Sequence, residues 1–284
     1  MSSSPIPSFR FGTVGSPIST PKKPGGSVGS VLHLRTLGLS ALELGWVRAV
    51  RVTEDTCAAI KTTAAAQDVA ISVHAPYFIN LNADEEEWPK SRQRLMDAAH
   101  YGNLAGATDI IFHPGSYFER PPAEVLKLAI PRLAGCVEDL RAAGNPVILR
   151  PEMMGKSAML GSAEDTFEMG KAIEGVQPCI DFAHLHARPG DGSMNTYDEW
   201  ARMLDAYGTA LGNAALSTLS IHLSGIAYGP KGEKEHLPIS ESDLDLDAIL
   251  KALKTFACSG RMLIESPAME EDALLVKQRW EELA

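Results

Sequence analysis

The chain has 284 residues, 45% of them hydrophobic and 22% charged, a globular composition that excludes intrinsic disorder. With 26 basic against 36 acidic residues the formal net charge is −10, which argues against a general nucleic-acid coat protein. It still allows a local basic groove, or an acidic site whose field is reversed by bound metal ions.

In chain order, the first segment, MSSSPIPSFRFG, lacks the charged stretch and apolar core of a secretory signal. Residues 1–8 are expected to be a flexible tail. From there short apolar runs alternate with helical stretches. Strands are predicted over 10–14, 41–44, 70–74, 109–113, 147–152, 179–184, 219–223 and 262–265. Helices are predicted near 28–37, 53–67, 87–105, 122–143, 163–173, 196–211, 243–257 and 268–283. Within 122–143, Val125, Leu128, Ala129, Leu133, Cys136, Val137 and Leu140 recur at spacings of three and four, one apolar face. Gly144 and Pro146 stop that helix. His33 and His100 fall inside helical stretches and read as structural.

Eight strand–helix units with no linker between them predict a single α/β domain, a (β/α)8 barrel spanning 1–284. The Pro/Gly/Ser-rich stretch 224–240 falls where such a barrel carries a loop. No apolar run reaches the roughly 18–20 residues of a membrane helix, so no membrane partner is expected. Cys57, Cys136, Cys179 and Cys258 are scattered without a C-x-x-C pair. That argues against a cysteine zinc site or a disulfide framework and fits a reducing cytosol.

Barrels of this kind work at the carboxyl ends of their strands. The predicted strands deliver His74, His113, Glu152, Asp181 with His184, His222 and Glu265 there, and the following loop adds Glu233, Glu235 and His236. A single histidine or glutamate at a strand end is ordinary. Together, imidazoles and carboxylates buried at one mouth are costly unless something compensates them, and divalent cations do so directly. Nitrogen and oxygen donors without thiolate suit zinc, and manganese also suits them. The donors outnumber what one catalytic zinc uses, so two or three ions per chain are expected. Such multinuclear sites suit in-line displacement at phosphorus.

The segments HAPYFINL (74–81), FHPGS (112–116), PE (151–152), CIDFAH (179–184), HLSG (222–225) and IES (264–266) follow one another in an order and spacing that resemble endonuclease IV, the metal-dependent apurinic/apyrimidinic endonuclease of base-excision repair. The resemblance covers nearly the whole barrel. It implies a TIM barrel with a trinuclear zinc site. His74, His113 and Glu152 would hold one ion. Glu152 would bridge to a second, held also by Asp181, His222 and Glu265. His184 would hold the third with ligands from the 224–240 loop. The family pattern there is Asp-x-His, whereas this chain reads Gly232-Glu233-Lys234-Glu235-His236. With His236 as the histidine, Lys234 stands where the Asp belongs, and Glu233 or Glu235 replaces it in a shifted register.

The implied reaction is hydrolysis of the phosphodiester 5′ to an abasic site in double-stranded DNA, leaving a 3′-hydroxyl, with Glu152 as the catalytic carboxylate that positions the metals. A monomer acting in the cytoplasm, at the nucleoid, is expected. Tyr77 and Phe78 match the residues that wedge into the base stack in that family; otherwise Phe78 caps the barrel mouth. Arg48, Arg51, Lys231 and Lys234 are the basic residues placed to meet phosphates, although Gly45-Trp46-Val47-Arg48 is shorter than the family's DNA-binding insertion. Glu43 reads either as a partner for a metal-bound histidine or as a carboxylate bonded to backbone. His186 reads as a loop residue, and Met153, Met154 and Met159 as loop packing. The same barrel and the set Glu152, Asp181, His222 and Glu265 also occur in sugar isomerases and epimerases of the xylose-isomerase type, which is the competing expectation. A barrel that binds metal or nucleic acid without catalysis is a third.

Overall fold

The computed structural model describes residues 9–283, so the expected tail at 1–8 lies outside the described residues. Eight parallel strands form one sheet in the order β5-β4-β3-β2-β1-β10-β7-β6. These are β1 (Phe9–Val14), β2 (Ala41–Gly45), β3 (Ala70–His74), β4 (Ala107–Phe112), β5 (Ile148–Pro151), β6 (Cys179–Asp181), β7 (Leu219–Leu223) and β10 (Gly260–Ile264). Parallel bridges Leu149↔Val176 and Glu152↔Cys179 join the two edges, so the sheet closes into a barrel. Helices α1 (Gly26–Thr36), α2 (Glu54–Gln67), α3 (Trp88–Leu104), α4 (Pro122–Ala142), α5 (Ala163–Ala172), α7 (Tyr197–Leu211), α8 (Leu246–Thr255) and α9 (Glu270–Glu282) follow the strands. The expected (β/α)8 barrel is therefore the architecture found.

Local chemistry explains the boundaries. On α4, Val125, Ala129, Leu133, Cys136, Val137 and Leu140 are buried as the spacing requires, and Gly144 turns the chain at φ 69°. Ser162 and Asp165 make a reciprocal capping box at the start of α5. Thr53 Oγ1 accepts from Thr56 N at 3.2 Å to begin α2. Near the amino ends of the strands a buried ion network fills the barrel. Arg150 donates through Nε to Asp109 and through Nη2 to Thr218 O (2.8 Å), while Arg261 Nη2 lies 2.9 Å from Asp109 Oδ2. No helix among the described residues is long and apolar enough to cross a membrane.

Two expectations fail locally. The strand predicted over 179–184 stops at Asp181, and Phe182–Ala187 form a short helix, α6. Asp181 caps it: its Oδ1 accepts from His184 N at 2.7 Å, so the chain coils instead of extending. The 224–240 stretch is not a loop. It is an antiparallel hairpin of β8 (Gly225–Gly229) and β9 (Gly232–Leu237). Gly232 turns it at φ 93°, and a Cβ there would sit 2.2 Å from Gly155 O.

Candidate metal centre at the barrel mouth

The parallel register brings the strand ends to one level. Asp181 pairs with His222, and Leu223 with Ile264, the residue before Glu265. Backbone bonds from Ala75 N to Ile111 O and from Glu152 N to Phe112 O carry the pairing with β4 just past the ends of β3 and β5. Three groups of side chains result, each with one ligand atom per residue and all those atoms within 4.8 Å of one another: His74, His113 and Glu152; Glu152, Asp181, His222 and Glu265; and His184, Glu233 and His236.

Glu152 joins the first two groups. Its Oε2 lies 3.2 Å from His74 Nε2 and 3.3 Å from His113 Nε2, while its Oε1 lies 3.6 Å from His222 Nδ1. One carboxylate thus gives an oxygen to each side. Two of the histidines are bonded to a backbone carbonyl through their other nitrogen. His74 Nδ1 is 2.9 Å from Ala75 O, and His184 Nδ1 is 3.0 Å from Met153 O, which turns Nε2 of the first ring to Glu152 and Nε2 of the second to His236. His222 is reversed. Its Nε2 sits 3.0 Å from Glu43 Oε1, leaving Nδ1 toward Glu152 and Glu265. Ser72 Oγ in turn donates to Glu43 Oε2 at 2.7 Å. Of the two readings of Glu43, the geometry matches the histidine partner.

The third group rests on the two elements that the sequence reading misassigned. Coiling at α6 turns His184 Nε2 to within 3.2 Å of His236 Nε2 and 3.7 Å of Glu233 Oε2. On β9, Tyr228 pairs with Glu233 and Ala227 with Glu235, so Lys234 is an extra, unpaired residue, a β-bulge. The bulge lets Glu233 and His236, three residues apart, reach the same group, whereas regular alternation would put them on opposite faces. Glu235 is exposed. The shifted register therefore falls on Glu233.

The electrostatics explain what these atoms lack. Burial alone would lower the pKa of His74, but the hydrogen bond to Glu152 and the nearby carboxylates raise it to about 9. Burial likewise works against the charge on His184, and Asp181 and Glu152 outweigh it, to about 10. Burial pushes Asp181 up to about 6 despite His184, with Glu152 and Glu265 adding repulsion. Burial opposes the charge on Glu152 too, yet the imidazoles, His113 foremost, hold it well below the usual carboxylate range. Glu152 Oε1, Asp181 Oδ2 and His222 Nδ1 are buried without hydrogen-bond partners. Orphaned donors and acceptors turned on one point in a hard, thiolate-free set fit a divalent cation.

Tyr77 stacks on His113 at 4.8 Å and stands edge-on to His74 at 5.2 Å, so it covers the first group. It is 45% exposed and Phe78 64%, so Phe78 does not cap the mouth from inside. Arg48, Arg51 and Lys231 are exposed, the first two after β2 and the third in the β8–β9 turn. His186 is not a loop residue. It is buried on α6, with Nδ1 2.9 Å from Met194 O and Nε2 3.0 Å from Asp243 Oδ1. Tyr228 of β8 donates to Asp243 Oδ2 at 2.7 Å, which clamps α6 to the hairpin. Asp243 has no signal in the sequence. Gly155 also went unnoticed: a Cβ there would lie 2.8 Å from Glu233 Cβ and 3.0 Å from His184 Cδ2.

The xylose isomerase-like TIM barrel family model matches residues 31–283. An uncharacterised protein of Methanocaldococcus jannaschii is 37% identical over 274 residues, 96% of this chain and 97% of its own. Endonuclease 4 of Thermus thermophilus is 28% identical over 223 residues, 75% of each chain. A crystal structure of endonuclease IV from that species superposes with a TM-score of 0.70 at 21% identity, covering 97% of this chain and all of the other. A D-tagatose 3-epimerase-like protein also superposes with a TM-score of 0.70, at 19% identity and 96% coverage of both chains.

Proposed function

Because the chain belongs to the xylose isomerase-like TIM barrel family, we propose that it is a zinc-dependent phosphodiesterase that hydrolyses double-stranded DNA 5′ to abasic sites. The observation that supports this reading is the division of nine side chains into three ligand groups, two of them sharing Glu152. When bound, metal ions there supply Lewis acidity, acidifying water and stabilising the attacking and leaving oxygens of an in-line displacement at phosphorus. Glu152 fixes the spacing of two groups through its separate oxygens. The carbonyls of Ala75 and Met153 orient two of the imidazoles, and the Glu43 carboxylate faces Nε2 of a third, His222, at 3.0 Å. Tyr77 and Phe78 offer exposed rings beside the first group for entry into the stack, and Arg48, Arg51 and Lys231 offer charge to the phosphates. The endonuclease 4 relative supports the assignment.

The test is cleavage of a duplex oligonucleotide carrying one abasic analogue, with protein as purified, chelated, and restored with zinc or manganese. The expected result is a nick 5′ to the lesion that chelation and His113→Ala both abolish.

A sugar epimerase is the second reading. Glu152, Asp181, His222 and Glu265 by themselves supply the ligand set for its one or two metals, and the epimerase-like structure superposes as well as the nuclease does. That reading leaves the groups around His113 and His184 without a task. No nick under any metal condition, with two or fewer metals per chain by elemental analysis, would favour it and direct a screen of ketoses.

A further inference from the structure

A cavity of about 400 Å³ lies beside the metal centre, between the segments that follow β3 and β4. Tyr77, which stacks on His113, lines it together with Phe78, Asn80, Arg94, Phe118 and Met159. The volume is that of a small-molecule site. Phe118 is 61% exposed, so it is not there to fill the core. Its backbone is left-handed at φ 49°, as is that of Glu119 at φ 59°. Two consecutive non-glycine residues in that region are unfavourable and persist only where their surroundings enforce them.

The surroundings do so here. Tyr117 N donates to Ala158 O at 3.1 Å, Phe118 N to Ser116 Oγ at 3.3 Å, and Asn82 Nδ2 to Ser116 O and Tyr117 O at 2.9 and 3.0 Å. Arg120 Nη1 fixes Asn82 Oδ1, and Arg188 Nη2 and Asp165 hold the Tyr117 hydroxyl. A rigid segment therefore presents an aromatic ring to solvent at the lip of a cavity. The charges nearby do not suit a phosphate. Asp84 and Glu87, both exposed, put two carboxylates in its lining, and the Arg94 guanidinium is engaged with Phe78 O at 2.8 Å. Apart from these charges the lining offers three exposed rings, the Met159 thioether and the Asn80 amide, whose Oδ1 accepts from Asn82 N and Ser116 N.

We propose that this cavity is a nucleobase site, in which Phe118, with Phe78, stacks an unpaired base of the DNA next to the lesion while its phosphates stay outside. The inference rests on the DNA reading of the metal centre and assigns Phe118 a positioning role in it. Base–aromatic stacking tolerates any base, so the site adds grip and register without sequence preference.

Binding by the zinc-loaded full chain to a duplex with an abasic analogue and a non-hydrolysable scissile linkage is the measurement, read by fluorescence anisotropy. Phe118→Ala is expected to weaken binding about ten-fold, within what loss of one base–aromatic stack produces, and Phe118→Tyr to restore it. Zinc content and Tm should not change, since the ring is exposed. A double-mutant cycle locates the contact. Each nucleotide opposite or flanking the lesion is replaced in turn by a second abasic unit, and at one position Phe118→Ala should then cost nothing further. Wild-type protein that prefers the abasic duplex while Phe118→Ala binds equally well, or losses that add at every position, overturn the nucleobase site alone. Wild-type protein that does not distinguish abasic from intact duplex overturns the DNA reading and the site with it.

Discussion

Glu43→Gln tests how far the metal centre depends on a carboxylate that contributes none of its ligand atoms. Glu43 is fully buried, with Oε1 3.0 Å from His222 Nε2 and Oε2 accepting from Ser72 Oγ at 2.7 Å. Burial opposes its charge, but His222 and His74 outweigh burial and keep it below the usual carboxylate range. Its anion holds His222 with Nδ1 turned toward Glu152 and Glu265 and makes that nitrogen a better donor. Glutamine keeps the volume, so the barrel core stays packed, but it removes the charge and can turn an NH2 toward the ring. Losing such a partner costs about 10–100-fold in metal affinity, or roughly 1.4–2.7 kcal/mol. Competition against a chromophoric zinc chelator should show one site weakened by that amount and the remaining sites unchanged. Affinity within two-fold of wild type at every site would refute the idea that Glu43 orients His222 for a metal. A uniform loss at all sites would also count against it, because the contact reaches only one group.

Asp109 carries a pH prediction. Burial opposes its charge, yet Arg150 and Arg261 lower its pKa to about 2, against ~3.9 in an unfolded chain. The unfolded state therefore takes up the proton first as pH falls. About 2–3 kcal/mol of stability should be present above pH ~3.9 and disappear as pH drops through 2. Urea unfolding from pH 5 to pH 2.5 should show a shallower slope for Asp109→Asn than for wild type, and parallel slopes would contradict the assignment. At pH 7 the same variant leaves the buried Arg150 and the half-buried Arg261 without their counter-charge and should lose roughly 3–5 kcal/mol. Deleting Lys234 removes the bulge and leaves Glu233 two residues from His236, still on one face of a regular strand. Such a deletion should retain the metal of that group within a few-fold, whereas a fall in bound metal by one ion would show that the bulge does not carry the register. Chelation should lower Tm, since a ligand present at about 100 times its Kd stabilises by ~2.7 kcal/mol, and differential scanning of the metal-free and zinc-restored protein checks it.

Most of the barrel was legible because each unit obeys its own period. The buried runs of β3 and β7 have the predicted limits, Ala70–His74 and Leu219–Leu223, and the apolar face of α4 is the one its spacing gives. A parallel barrel then places His74, His222 and Asp181 at one mouth without further information. The misreadings fall where a functional residue also shapes the backbone. Asp181 reads as the next residue of an apolar strand, but its carboxylate caps α6, with the capped amide three residues on at His184. That spacing is a helix-start signal, and it was available in the sequence. On β9, Gly-Glu-Lys-Glu-His-Leu has neither strand propensity nor alternation, because the bulge at Lys234 breaks the period that would identify it.

The members of the third ligand group were legible through the family resemblance, but the residues that bring them together were not. His184 and the pair Glu233 and His236 sit on separate elements, and the clamp from His186 through Asp243 to Tyr228 links residues 57 and 15 positions apart. Gly155 admits Glu233 N to its carbonyl at 2.9 Å only because it has no side chain to collide with that glutamate. His186, Asp243, Tyr228 and Gly155 belong to none of the three ligand groups, and each becomes recognisable only once the hairpin is folded over the mouth. The strand-end ligands need only the barrel, whereas the His184 group also needs α6, the hairpin and the clamp between them. Loss of the clamp in Asp243→Ala should therefore release the metal of that group while the ions on either side of Glu152 remain bound.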